Sequence, residues 1–383
     1  MRIILGAVVS IPPFSPGMVW NWMQHVVGLA DLGHEVCFVE EVRPEWCVDE
    51  RGVSCEYRKS VNRRIFSQVT ERFGVAERAC QLYDGGRETT GLTLRELEST
   101  AGSADLLINM SGHVEAEAVV GSVSRRAYVD QDPVYTQLWH AAYGKSLGLD
   151  RHDAFVTVGL DIGSHLTPIP HGGIRWRTTL PPVVMSFWPG PNDGRRARFT
   201  TVASWSGYGD LEYRGGWYRS KFEEFLRLSR LPREAGLEFE VALKAHRPDD
   251  AGILELIQGG WIVSDAGRIG DLDAYRRFIG ESRAEIGVAK NAYVKGKSGW
   301  FGDRSAHYLA SGRPVLAQAT GFEHHLPTGK GLLSFSTLKE ALDGARAIHA
   351  DYEMHSRAAR EIAEEYLDHR RVLPALLDAC TGG

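Results

Sequence analysis

The stretch SGWFGDRSAHYLASGRPV, residues 298–315, decides the fold that this sequence predicts. It begins in a loop with two glycines, continues into a helix that starts near Asp303, and ends in a small-residue turn before a strand at 314–317. Glycines let a backbone approach a ligand closely, and the start of a helix presents free N–H groups and the positive end of its dipole. The stretch therefore predicts a phosphate site. Its alternative interpretation is a glycine-rich turn whose aspartate only caps the helix.

Arg304 is the strongest single candidate in this stretch, because a guanidinium presents a fork of donors that suits phosphate oxygens. Of the three lysines at positions 290, 295 and 297, only Lys297 is favoured as a phosphate contact, since a lysine cluster beside a loop is usually a solvated face. The predicted phosphate residues here are Lys297, Ser298, Gly299, Asp303, Arg304 and Ser305.

Strand and helix patterns alternate on both sides of this stretch, which implies parallel sheets joined by right-handed crossovers. In the first half a buried strand at 2–9 leads to a helix at 18–32, and the polar segment 50–98 is expected to hold two helices. The other predicted strands lie at 35–40, 106–110, 127–129, 155–158, 200–203, 239–244, 261–264 and 284–289.

The sequence predicts an α/β protein with two doubly wound, Rossmann-like domains that face a central cleft. A chain of 383 residues exceeds the size at which one core keeps growing, and prolines and glycines crowd residues 166–198. We therefore expect a first domain at 1–180, a second at 199–355, and a C-terminal segment at 356–383 that returns to the first.

Composition excludes several classes of protein. A net charge of −5 argues against a broad basic field for nucleic acid. Five cysteines without metal-ligand spacing indicate reduced thiols, no metal site and a cytoplasmic location. No apolar run approaches the roughly 20 residues that a membrane span needs. The loop at 11–17 lacks the G-x-G-x-x-G turn of a NAD-dependent dehydrogenase.

Two segments carry a resemblance to a known family. ASGRPV at 310–315 follows the glycine loop and short helix, and LADLGHEV at 29–36 contains a Gly-His turn before the second strand. In this order the segments resemble the GT-B glycosyltransferases. The resemblance implies a nucleotide-sugar donor, with UDP or dTDP as its nucleotide, in the second domain and a small-molecule acceptor, such as a natural product, in the first. It implies no other cofactor and no metal.

The resemblance also implies further donor contacts. Residues of the turn at 203–209 are expected near the diphosphate, those of the loop at 266–270 near the base, and those of the loop at 320–324 near the sugar. The implied residues are Ser204, Ser206 and Gly207 for the phosphates, Arg268 and Ile269 for the base, and Gly321, Phe322 and Glu323 for the sugar.

The catalytic group is harder to assign, because the chain departs from both patterns of the family. Inverting members often carry a histidine after the first strand, but the loop at 11–17 has none and His25 falls two turns into the helix. Retaining members carry paired glutamates, where this chain has Gly299 and His307. Candidates at strand ends, where such folds place chemistry, are His113, Asp130 and Asp132.

Two alternatives remain open from the sequence. One is a non-hydrolysing UDP-sugar epimerase, which also pairs two α/β domains but needs several acid and base groups around the sugar. The other is a non-catalytic two-lobe protein that binds a carbohydrate or a nucleotide. Trp20, Trp22 and Trp139 are candidates for stacking on an acceptor ring, with core packing as the alternative.

Overall fold

A computed structural model describes residues 1–11, 14–190, 198–204, 207–244 and 250–382 of the chain. Its strands form two large sheets, one in each half of the chain, and helices cover both sheets. None of the helices in this part of the chain is long and apolar enough to span a membrane.

The first sheet has eight strands in the order β4-β3-β2-β1-β5-β6-β7-β8, parallel except for the pair β3 and β4. Its strands are β1 (Arg2–Gly6), β2 (Glu35–Val42), β3 (Ala79–Tyr83), β4 (Glu88–Gly91), β5 (Leu106–Met110), β6 (Arg126–Asp130), β7 (Ala154–Thr157) and β8 (Arg177–Thr178). The helices of this half are α1 (Pro16–Asp31), α2 (Val61–Arg72), α3 (Leu94–Gly102), α4 (Glu117–Val120) and α5 (Tyr135–Ala141).

The second half contains a small antiparallel hairpin and a six-stranded parallel sheet in the order β13-β12-β9-β14-β15-β16. Its strands are β9 (Phe199–Ser204), β10 (Leu211–Tyr213), β11 (Gly216–Tyr218), β12 (Phe239–Lys244), β13 (Ile262–Asp265), β14 (Ala284–Gly287), β15 (Val315–Gln318) and β16 (Leu332–Phe335). Its helices are α6 (Phe222–Arg227), α7 (Leu231–Ala235), α8 (Ala251–Gln258), α9 (Leu272–Glu281), α10 (Asn291–Gly296), α11 (Asp303–Ala310), α12 (Leu338–Ala350), α13 (Tyr352–Ile362) and α14 (His369–Thr381).

The predicted α/β class with two doubly wound sheets is confirmed, but six strands of the described residues were not predicted. Two of them, β8 and β16, lie at the ends of the two large sheets, and the other four lie in two segments. The polar segment 50–98 contains β3 and β4 in addition to its two helices. Strand β3 lacks the continuous apolar pattern of a buried strand because it contains Gln81. The buried Gln81 side chain donates to the Ser10 hydroxyl and to the Glu40 carboxylate. The second segment is the hairpin of β10 and β11, which the sequence pattern did not predict.

Apolar packing between α1 and the second half joins the two domains. Trp20 on α1 is buried, and its indole Nε1 donates to the Leu272 carbonyl at the start of α9 at 3.0 Å. Its ring lies 5.3 Å from that of Trp188, which belongs to the connection between the sheets. Helix α14 then packs against α1 and β7 of the first sheet. Trp20 and Trp22 are therefore core residues.

The loop after β7 fits against the second domain because two residues opposite it have no side chain. Asp161 is fully buried, and its backbone N–H donates to the Ser298 carbonyl at 3.1 Å. A Cβ added to Gly299 would lie 2.5 Å from the Asp161 nitrogen, and one added to Gly321 would lie 2.2 Å from its Oδ2 atom. Both glycines also have positive φ angles, +72° and +107°, that disfavour other residues.

We predict that Gly299→Ala lowers the free energy of unfolding by about 2–4 kcal/mol, because it adds backbone strain to a steric overlap with Asp161. Urea denaturation measures the change. Gly102→Ala is the matched control, since a Cβ at that position meets open space and should cost less than about 0.5 kcal/mol. Equal midpoints for the two variants would contradict the proposed role of Gly299.

Candidate functional site

The carboxyl ends of the two sheets face each other, and the loops that follow β6 and β7 contact those that follow β14 and β15. Asp132, just after β6, reaches Lys290, just after β14. Asp161, after β7, reaches His325 Nε2 at 2.8 Å in the loop after β15. Open α/β sheets bind ligands at this edge, so the cleft between these loops is the candidate site.

Asp132 is the centre of a polar cluster that crosses the cleft. Its carboxylate accepts from Lys290 Nζ at 2.6 Å, from the Tyr293 hydroxyl at 2.7 Å and from the Tyr208 hydroxyl at 2.8 Å. Burial alone would raise the pKa of Asp132, but the Lys290 ammonium and these hydrogen bonds outweigh it and hold the pKa below its ordinary value. Asp132 is therefore an anion that the second domain binds.

Lys221, which immediately precedes α6, is the cation of the cleft that lacks a carboxylate partner. No described residue forms a hydrogen bond or an ion pair with its Nζ atom. Burial lowers its pKa well below the ordinary value, and the positive charges of Arg304 and Lys290 lower it further. Lys221 is partly buried beside two other cations, and removing an ammonium from water without a counterion is unfavourable, so this position favours an anionic ligand.

Arg304 has partners inside its own domain. Its Nε donates to Glu285 Oε1 at 2.6 Å, and its Nη1 donates to the Val202 carbonyl at 2.6 Å. The Glu285 side chain is fully buried and that of Arg304 is 13 % exposed. The Arg304 guanidinium therefore uses its Nε and Nη1 groups in contacts within the second domain. The phosphate contact expected of Arg304 stays a prediction.

The other expected phosphate residues lie in three different environments. Ser298 and Gly299 face the loop of Asp161, and the Ser298 hydroxyl is buried without a hydrogen-bond partner among the described residues. Asp303 and Ser305 lie in the first turn of α11, where burial raises the pKa of Asp303. The exposed residues of the set are Ser204, Gly207 and Lys297, whereas Ser206 lies outside the described residues.

The residues expected near sugar and base are similarly divided. Glu323 is partly exposed and accepts the Gly321 N–H at 3.1 Å, so its carboxylate is at the cleft edge of the loop after β15. Phe322 is buried against the Phe301 ring. Ile269 is buried in a small apolar cluster with Ala242 and Phe278, and Arg268 is exposed.

Two of the three catalytic candidates, Asp130 and Asp132, accept hydrogen bonds from several side chains of the protein. Asp130 is fully buried and accepts from the Thr136, Thr157 and Gln137 side chains at 2.6–2.9 Å, and its catalytic role stays a prediction. Asp132 is bound as described above. No described residue bonds to the His113 ring; burial lowers the pKa of His113 to about 4, although the negative charge of Asp132 opposes the shift. His113 is therefore a neutral imidazole beside the cluster.

His307 occupies a position where a retaining enzyme would show a glutamate, and it is a packing residue. Its ring stacks on Trp188 with a centroid distance of 4.3 Å, and its Nε2 lies 2.7 Å from Gln24 Nε2 on α1. Burial, and then the Arg304 charge, lowers the pKa of His307 to about 3. The histidine is thus neutral and joins the domains at this point.

Sequence reasoning did not assign Lys221 or Lys290 to the site. A position next to a helix start was the available signal for Lys221, and a position after a buried strand was the signal for Lys290. Neither shows which way a lysine side chain turns. In the part of the chain that the structure describes, no group of three or more His, Cys, Asp or Glu residues is arranged to hold a metal ion.

Comparison with known proteins supports the fold. No protein-family model and no curated protein matches this sequence. Among solved structures, the chain is similar to an alpha-glucosyltransferase in complex with UDP, with a TM-score of 0.60 and 11% identity over 100% of both chains. It is also similar to HepE of Anabaena in complex with UDP and glucose, with a TM-score of 0.58 and 11% identity over 100% of both chains.

A third similar structure is AviGT4, a glycosyltransferase involved in avilamycin A biosynthesis. Its TM-score is 0.53 at 12% identity, over 100% of this chain and 97% of that one. These likenesses span both domains and confirm the predicted GT-B fold.

We predict that Arg304→Gln destabilises the protein by about 3 kcal/mol, because it leaves the buried Glu285 without its ion-pair partner. Chemical denaturation checks this value. The control is Arg268→Gln, which changes an exposed arginine of the same domain and should leave the midpoint within error. If Arg304→Gln folds as stably as the wild type and only nucleotide binding weakens, the guanidinium serves the ligand instead.

Proposed function

We propose that this chain is a glycosyltransferase that moves a sugar from a nucleoside diphosphate donor to a hydroxyl of a small molecule. The observation that carries the proposal is Lys221, a partly buried ammonium with no counterion among the described residues, beside Arg304 and Lys290 at the cleft edge of the second sheet. Lys290 lies close to it, and α11 begins nearby with Asp303. A diphosphate supplies the negative charge that this arrangement lacks.

UDP is the proposed nucleotide. The alpha-glucosyltransferase and HepE, which share the fold, have UDP bound in their structures. The diphosphate is expected between Lys221 and the first turn of α11, and the sugar toward Glu323 and His113. The two ammonium groups offset the charge that develops on the departing diphosphate, and we propose that transfer requires no bound metal.

The transfer step requires one bond to break and one to form. The bond from the anomeric carbon to the diphosphate oxygen breaks, the acceptor oxygen bonds to that carbon, and the hydroxyl proton balances the charge on the released nucleotide. A group with a pKa of about 4 is a poor proton acceptor at neutral pH. We therefore propose that His113 contacts the sugar as a hydrogen-bonding group rather than as a strong base.

A small-molecule acceptor, such as a natural product, is favoured over DNA. The chain carries a net charge of −5, whereas an alpha-glucosyltransferase of similar fold has been solved with a 13-mer DNA. Trp139 and Tyr208 place two aromatic rings 5.0 Å apart beside the cleft cluster, a surface that suits the face of a sugar or an aromatic ring. With five free thiols and a nucleotide co-substrate, we place the protein in the cytoplasm.

Isothermal titration with UDP, dTDP, GDP and ADP tests the donor site. We expect UDP to bind, and Lys221→Met to weaken it by about 1.5–3 kcal/mol, the scale of a lost hydrogen bond to a charged group. Lys339→Met is the matched control because Lys339 is an exposed lysine of the same domain, on α12, and UDP affinity should not change. The UDP titration is repeated with excess chelator, which we expect to have no effect.

Three results would count against this function. If none of the four nucleotides binds, the proposed donor site is contradicted. Equal losses in Lys221→Met and Lys339→Met would show that general charge, rather than the Lys221 ammonium in the cleft, attracts the nucleotide. If UDP binds but no UDP-sugar is hydrolysed or transferred to any acceptor, including DNA, the chain is a nucleotide-binding protein.

A further inference from the structure

Asp132 joins two separate segments of the second domain, through three side chains, to the first domain. Tyr208 belongs to the segment between β9 and β10, Lys290 follows β14, and Tyr293 lies on α10. All three donate to the same carboxylate at 2.6–2.8 Å. One residue of the first domain therefore holds in place the side chains that surround one end of the proposed diphosphate site.

The same contact compensates the positive charge of Lys290. The Lys290 ammonium lies against the Asp132 carboxylate and over three tyrosine rings, of which Tyr208 is nearest at 4.4 Å from its centroid. Its positive charge is thus largely compensated, in contrast to that of Lys221. A nucleotide that enters the site meets the Lys221 ammonium, which has no counterion among the described residues, the compensated Lys290 ammonium and the negative charge of Asp132.

A second contact between the two domains lies beside this cluster and does not involve Asp132. The Tyr143 hydroxyl donates to the Glu212 carbonyl at 2.9 Å and accepts the Glu212 N–H at 2.7 Å. Leu211 and Tyr218 of the hairpin pack in one apolar cluster with Leu138 of α5. Because these contacts persist without Asp132, a change at Asp132 alters charge and local order without separating the domains.

We propose that Asp132 is a positioning residue that orders Lys290 and the Tyr208 segment for transfer at the expense of nucleotide affinity. This role rests on the proposed function. The Asp132 carboxylate repels the diphosphate directly. Because it is paired with Lys290, it also weakens the attraction of the Lys290 ammonium for the diphosphate. In return it fixes three groups of the second domain relative to His113 and the acceptor side of the cleft.

Asp132→Asn tests this role, because the amide keeps the shape and one acceptor oxygen but removes the charge. We expect the variant to bind UDP about three- to tenfold more tightly, the size of one partly screened unit-charge repulsion. We also expect faster amide hydrogen exchange in 207–211 and 290–296 without nucleotide. Tyr293→Phe is the control: it removes one hydrogen bond, keeps the carboxylate, and should change UDP affinity by less than about twofold.

Tighter binding combined with faster exchange supports the role, since a merely structural residue would weaken binding when its segments loosen. Unchanged or weaker UDP binding by Asp132→Asn, with UDP binding by the wild type intact, overturns the role and leaves the proposed function standing. Failure of the wild type to bind UDP overturns the proposed function, and the role in affinity falls with it. Unchanged exchange in both segments overturns the positioning of Lys290 and Tyr208 in either case.

Discussion

The contact between Asp161 and two glycines of the second domain determines how the two sheets meet. The Asp161 carboxylate is buried where any side chain at 299 or 321 would overlap its loop. His325 then binds it from the second domain. Because protein interiors are close-packed, this fit restricts how the loops of the two domains can pack. Beside it, Asp132 after β6 contacts Lys290 after β14.

The same contact accounts for the departure of this chain from the paired-glutamate pattern of retaining glycosyltransferases. A glutamate at position 299 would have to pass through the backbone of Leu160 and Asp161. The second position of the pattern, His307, is stacked on Trp188 and neutral. Other groups must therefore contact the donor in this cleft. Among the described residues, Lys221 and Lys290 are two cations close to each other that can do so.

Local patterns predicted most of the fold, whereas the site depends on contacts that no local pattern contains. Strands β5 and β12 have the predicted bounds because apolar residues predominate in each, as LLINM and FEVALK show. Helix α11 begins at Asp303 because a glycine turn precedes it. Gly299 has the composition of a ligand loop, but its neighbour is Asp161, a residue of the other domain. The direction of Lys221 and the partner of Arg304 are likewise set by tertiary packing.

A crystal structure of the protein with UDP tests the central claim most directly. The account predicts that the diphosphate lies within hydrogen-bond distance of Lys221 Nζ and next to the first turn of α11, with Arg304 still bound to Glu285. A diphosphate that is bound by Arg304 and lies far from Lys221, or UDP at a site outside the cleft, would contradict the account.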